Sequence, residues 1–199
     1  MSDPSWVDVL GFAVAAGGFT FGVYQYRQGR IEARRQFAAR AIEVYLGNAD
    51  VRAAMQMLDW RARKMILPAG RTKAEGAEEF TVAHSDLDGA LVLPYENGGN
   101  FSPLEVLLRD TFDRFINELE HLANQEQAGA FRIEDVAPYL AYLAELMFGT
   151  RYQLPPKTQK VLQRFIQEYW GEHVLDFLRR CQAKSNVRPG AAPSRPATP

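Results

Sequence analysis

Cysteine is all but missing from this chain: Cys181 stands alone among 199 residues. That excludes an intramolecular disulfide and a thiolate metal cluster, and it is compatible with a reducing compartment. Net charge is missing too. Twenty-three Lys and Arg against 24 Asp and Glu leave −1, so no global field draws the chain to nucleic acid. Basic residues with interleaved aromatics, the footprint of a nucleic-acid surface, are absent, and no nucleic-acid partner is expected. There is no GxSxG to start serine catalysis. "ENGGN" at 96–100 has two glycines but no lysine, and Glu96 and Glu105 flank it, so it falls short of a phosphate loop. No β pattern of any length and no internal repeat is visible. No cofactor is expected.

What is present is unevenly distributed. Apolar residues make up 47% and charged ones 24%, the balance of a folded chain. "VLGFAVAAGGFTFGVY" (9–24) carries no charge. The 21 residues from Trp6 to Tyr26 would span about 30 Å as a helix, the thickness of a bilayer's hydrocarbon core. No polar stripe interrupts the circumference, since Thr20 can bond a carbonyl one turn back. Trp6, Tyr24 and Tyr26 stand at the edges, where amphipathic rings favour the headgroup level. Glycines weaken the span, and Asp8 is tolerable only near the interface. "MSDPSWVD" is acidic where a cleaved signal would be basic, whereas Arg27, Arg30, Arg34 and Arg35 follow the apolar run. The positive-inside rule then places the N-terminus outside and the rest in the cytoplasm. These four arginines fix topology and offer charge to anionic headgroups, making membrane lipid an expected partner. Gly11, Ala15, Gly18 and Gly22 are spaced four, three and four, a small-residue seam on one helix face that suits self-association and predicts a homo-oligomer.

Beyond Arg27 the pattern predicts helices. The first runs on to about Leu46, ended by "GNAD" (47–50) with Asn48 or Asp50 as the next cap. Residues 51–67 place Val51, Met55, Leu58, Ala62 and Met65 on one face of an amphipathic helix. An acidic loop at 67–101 follows; from Ala74 to Asn100 it holds six acidic residues and no lysine or arginine. "SPLE" (102–105) is a capping box with proline at the first helical position, opening a helix to about Ala123. A helix over Val136–Phe148, capped by Asp135, and one over Thr158–Cys181 complete the pattern. The fold class is therefore all-α: an extracytoplasmic N-terminus (1–5), a transmembrane helix (6–26), juxtamembrane helices (27–66), the acidic loop (67–101), a cytoplasmic helical bundle (102–182) and a disordered tail rich in Pro and Ala (183–199). About four helices make up the cytoplasmic bundle.

Chemistry is sparse. His84, Asp86 and Asp88 in "HSDLD" are hard ligands close together and form the one candidate metal set. His121 lies near Glu118 and Glu120 on a polar helix face, and His173 reads as a boundary residue. Arg179, Arg180 and Lys184 would activate the Cys181 thiol only if they shared its face, and a spectator thiol is the better reading. Asp110, Asp113, Trp60 and the acidic loop are candidate contact elements for a protein.

"AMQMLDWR" (54–61), "RDTFDRFINELEHL" (109–122) and "GAFRIEDVAPYLAYL" (129–143), together with the short anchor and the arginine-rich helix, resemble a broad group of uncharacterised bacterial inner-membrane proteins defined by a domain of unknown function. The resemblance, a loose pattern over most of residues 5–180, implies a single-pass bacterial inner-membrane protein with an all-helical domain, and carries no catalytic residues with it. The expected role is a membrane-anchored interaction or scaffold module with a cytoplasmic protein partner. The alternatives are a membrane-tethered metal-dependent enzyme built on His84, Asp86 and Asp88, and a membrane-disturbing stress or defence effector.

Overall fold

A computed structural model describes residues 6–67, 79–149 and 154–185, with side chains in the first helix from Gly17 onward. It is mostly helical: α1 (Trp6–Gly47), α2 (Ala49–Asp59), α3 (His84–Ala90), α4 (Pro103–Gln127), α5 (Ile133–Phe148), α6 (Pro156–Trp170) and α7 (Glu172–Ser185). Two short strands, β1 (Ala62–Ile66) and β2 (Glu79–Ala83), form an antiparallel pair with Met65 opposite Phe80.

The 42 residues of α1 form one helix, about 63 Å long at 1.5 Å per residue. Thr20 donates its hydroxyl to the Gly17 carbonyl at 2.9 Å, as a hydroxyl in an apolar helix should. The helix has two unlike parts. Residues 17–30 are exposed on every face, and Ile31 is the first to be half-buried. Beyond it Ala38, Ile42 and Tyr45 are buried at four- and three-residue spacing, the stripe of a helix lying on a core. Among the described residues no helix is long and apolar enough to cross a membrane. Gly11 and Ala15 of the small-residue seam lie outside the described side chains. Gly47 ends α1, and Asn48 caps α2 by accepting the Asp50 N–H at 2.8 Å.

The centre of the bundle is α4. Ser102 accepts the Glu105 N–H at 3.3 Å and Glu105 accepts the Ser102 N–H at 2.7 Å, with Pro103 at the first position, so the helix begins where the capping box requires. Leu108, Phe112, Phe115, Ile116 and Leu119 are fully buried along it. It packs against α1, α2, α3, α6 and α7, while α5 and α7 form the most extensive helix pair. From Pro103 to Ser185 the chain holds four helices where the pattern gave three, the last expected one being divided.

Three boundaries differ from the periodicity. The helix expected over 51–67 stops at Asp59; Trp60 turns extended and Ala62 and Met65 lie in β1 instead. In "ARKMI" only Met65 is buried, so no alternation marks the strand, and its pairing partner lies beyond residues 68–78, which are outside the described set. The expected loop at 67–101 contains β2 and α3, because Asp86 reaches back to accept the Ala83 N–H at 2.8 Å and starts a turn of helix directly after the strand. The helix expected over 158–181 is two helices joined at Gly171. Its φ of 79° and ψ of 175° lie in a region open only to glycine. In addition, α5 begins at Ile133, with Asp135 as its third residue rather than its cap. Of the expected tail, 183–185 belong to α7 and 186–199 lie outside the described residues.

Gly171→Ala should therefore destabilise the bundle by about 1–3 kcal/mol from backbone strain alone. An added Cβ would meet only an ordinary contact with His173 at 3.5 Å. Urea unfolding of the two chains measures the difference, and an unchanged midpoint would refute the backbone argument.

Candidate functional site: the cleft at the root of the long helix

Val23, Arg27, Arg30, Arg34 and Phe37 recur every four and three residues, so they line one face of α1. Opposite them lies the turn between α4 and α5, residues 129–132. Gly129 makes that turn possible with a φ of 77°. Phe131 is buried beneath it and meets Phe37 at 6.3 Å between ring centroids. The two walls enclose an open cleft of about 1010 Å³, to which the turn contributes Arg132.

Asp135 holds two of the residues that line the cleft. Its Oδ2 accepts from Arg34 Nε at 2.9 Å and from the Arg132 N–H at 3.0 Å, tying α1 to the start of α5. Arg30 stacks 5.9 Å from the Tyr26 ring centroid. Arg27 and Arg132 make no ion pair among the described residues. The four arginines that follow the apolar run are thus not equivalent. Arg27, Arg30 and Arg34 face the cleft, while Arg35 is turned to a neighbouring shallow depression of about 420 Å³ and lies 4.0 Å from Asp135 Oδ1. Gly18 and Gly22 have nothing within 4 Å of an added Cβ, so that part of the seam is open. Arg132 and Phe131 were not legible as site residues, because nothing in "GAFRIED" tells that this turn returns to a helix a hundred residues earlier.

The structure does not assemble His84, Asp86 and Asp88 into a metal centre. Asp86 is spent on the Ala83 N–H. Asp88 accepts the buried Thr158 hydroxyl at 2.7 Å and pairs with Lys157 at 3.2 Å, joining α3 to α6. Among the described residues no group of three or more His, Cys, Asp or Glu side chains is placed to hold a metal ion. His84 is buried, with neither ring nitrogen hydrogen-bonded, although the carbonyls of Leu58 and Met57 approach it. Burial lowers its pKa, outweighing those carbonyls and Asp88.

The remaining candidates separate cleanly. Cys181 is buried, and desolvation pushes its pKa up to about 12 despite Arg180, so it is no nucleophile. His121 is exposed and bonds Gln125, and His173 lies on the surface 3.7 Å from Glu120 rather than at the core's edge. Asp113 is half-buried, and desolvation raises its carboxyl pKa against the pull of Arg109, with Asp110 adding to the rise. Arg109 itself donates to the Ala90 and Val92 carbonyls at 2.7 and 2.8 Å under the Phe101 and Phe165 rings, a structural clamp on the end of α3. Trp60 is half-exposed with Arg63 over its ring, whereas the Trp170 indole donates to Asn117 at 2.7 Å.

No family model, no curated protein and no solved structure matches the chain. The resemblance to bacterial inner-membrane proteins gains nothing from those comparisons, and the site must be read from its own chemistry.

The buried His84 gives a pH dependence with a definite sign. Its folded pKa lies below the ordinary value of 6.5, so the unfolded chain binds the proton more readily. The contribution to stability is complete above 6.5 and is lost as pH falls through the folded pKa. His84→Leu should flatten the decline in unfolding free energy between neutral and mildly acid pH. A slope unchanged by that substitution would show that His84 is not its source.

Proposed function

We propose that the chain is a single-pass, membrane-anchored helical module. The first half of α1 lies in the bilayer, its arginines stand at the cytoplasmic headgroups, and the bundle hangs beneath as an interaction or scaffold domain. One observation carries this reading: α1 continues unbroken from the bundle for tens of residues, and residues 17–30 are exposed on every face. That exposed stretch includes Phe19 at 73%, Phe21 at 62%, Tyr24 at 60% and Tyr26 at 66%. A helix bearing such rings on several faces has no reason to stand in water, because each forfeits the favourable burial of a large apolar surface. A bilayer covers all faces at once. Arg27 onward then falls on the side that the positive-inside rule assigns to the cytoplasm, which with the family resemblance favours a bacterial inner membrane.

Extraction tests the anchor. The full chain should remain with membranes after high-salt and carbonate washes, and a version starting at Arg27 should be soluble and retain its helical circular dichroism. Release of the full chain by carbonate would end the anchor reading.

Self-association through the seam is part of the same proposal. Gly18 and Gly22 leave the helix surface bare, as close backbone approach requires. Gly18→Leu combined with Gly22→Leu should convert a crosslinkable oligomer in membranes to monomer without reducing insertion, since leucine inserts better than glycine. Crosslinking that persists at wild-type level would move the association elsewhere.

A further inference from the structure

Topology needs arginines on the cytoplasmic side of a span, but it does not need them arranged around a cavity. The cleft between α1 and the 129–132 turn is lined on one side by Arg27 and Arg30 and on the other by Arg132, a residue of the bundle more than a hundred positions away. Arg27 and Arg132 make no ion pair among the described residues, although Glu134 feels the Arg132 charge, and Arg34 is already paired with Asp135. The remaining walls are apolar: Val23 and Tyr26 at the outer end, Ile31 and Phe37 along α1, and Phe131 at the floor. From Val23 to Phe37 the cleft follows about 21 Å of helix, starting at the level where the anchor would leave the hydrocarbon.

We infer that this cleft binds an anionic phospholipid from the cytoplasmic leaflet. The phosphate sits among Arg27, Arg30 and Arg132, and part of one acyl chain lies against Val23, Ile31 and Phe37. The inference rests on the membrane reading for its supply of lipid, and charge complementarity chooses the occupant. A surplus of positive charge opposite apolar walls matches a molecule with a phosphate at one end and hydrocarbon at the other. Inorganic phosphate would use the arginines and leave the apolar walls wet. A zwitterionic lipid would use the walls and leave the net charge uncompensated.

The test uses the full-length chain in mild detergent, titrated with short-chain phosphatidylglycerol, short-chain phosphatidylcholine or inorganic phosphate, with bound molecules counted by native mass spectrometry. Phosphatidylglycerol should bind, phosphatidylcholine markedly less, and phosphate should not compete at equal concentration. Arg132→Gln and Arg27→Gln should each weaken phosphatidylglycerol by about fivefold, the worth of one arginine at an anionic surface. Arg132→Lys should keep most of the affinity. Arg40→Gln, on the same helix but outside the cleft, should change nothing. Wild-type binding in both glutamine variants, equal binding of the two lipids, or displacement by phosphate would each overturn the inference. Carbonate extraction of the same variants separates the two readings. Chains that stay in membranes but bind lipid indifferently keep the anchor and lose the cleft; chains that wash off but show the arginine dependence keep the cleft and lose the anchor.

Discussion

The Asp135 carboxylate holds together two parts of the chain that sequence separates by a hundred residues. Its Oδ2 accepts from the Arg34 guanidinium and from the N–H of Arg132, the residue before α5, at once, and its side chain is only 9% exposed. A charge so placed must be matched, because removing either partner leaves an ion without water or counter-ion. The pair therefore does more than add attraction. It dictates where α1 crosses the start of α5, and with it the separation between the arginine face and the 129–132 turn. The Phe37–Phe131 contact joins the same helix to the same turn.

A second attachment turns this crossing into a fixed direction. At the other end of the buried stretch, Asn48 donates to Glu118 at 3.0 Å while accepting from Asp50. Arg114 stands 3.9 Å from Asp50 on the same stretch of α4. Tyr45 is buried beside them, its phenol held protonated first by desolvation and then by Glu118. The two anchor points, Arg34 within α1 and Asn48 just past its end at Gly47, lie fourteen residues apart, about 21 Å at helical rise. A helix held at two such points cannot pivot about either, so residues 17–30 leave the bundle along one line. A membrane segment at that end would set the orientation of the whole bundle relative to the bilayer.

Most of this architecture is written in local pattern. The capping box at Ser102 and Glu105, the stop at Gly47 with Asn48 beyond it, and the stripe from Leu108 to Leu122 each state their structure within a few residues, and each was legible. The strands were not, because Met65 is the sole buried residue of its strand and Phe80, opposite it, is half-buried; their pairing is a non-local fact. The break at Gly171 was missed for a different reason. A lone glycine in a helical pattern is common, and only the need for α7 to turn back onto α5 reveals that this one adopts a positive φ. His84, Asp86 and Asp88 looked like ligands because composition records which groups are near in sequence, not what they are already bonded to. Asp86 and Asp88 satisfy backbone and side-chain donors, and His84 is buried away from water.

The arginines show the same distinction at the cleft. Counted along the chain, Arg27, Arg30, Arg34 and Arg35 are one cluster with one purpose. In space they have three fates: Arg34 is consumed by the fold, Arg35 turns to another face, and Arg27 and Arg30 look across the cleft at Arg132. A rule that reads only how many positive charges follow a span is satisfied by any arrangement of them. It gives no reason for an arginine on the α4–α5 turn to face the same space, since that residue lies a hundred positions beyond the arginines that follow the apolar run. Asp135 pairs with Arg34 and holds the Arg132 N–H, so Arg27, Arg30 and the Arg132 guanidinium are the positive groups along the cleft that no ion pair consumes, and their mutual repulsion would be relieved by an anion between them.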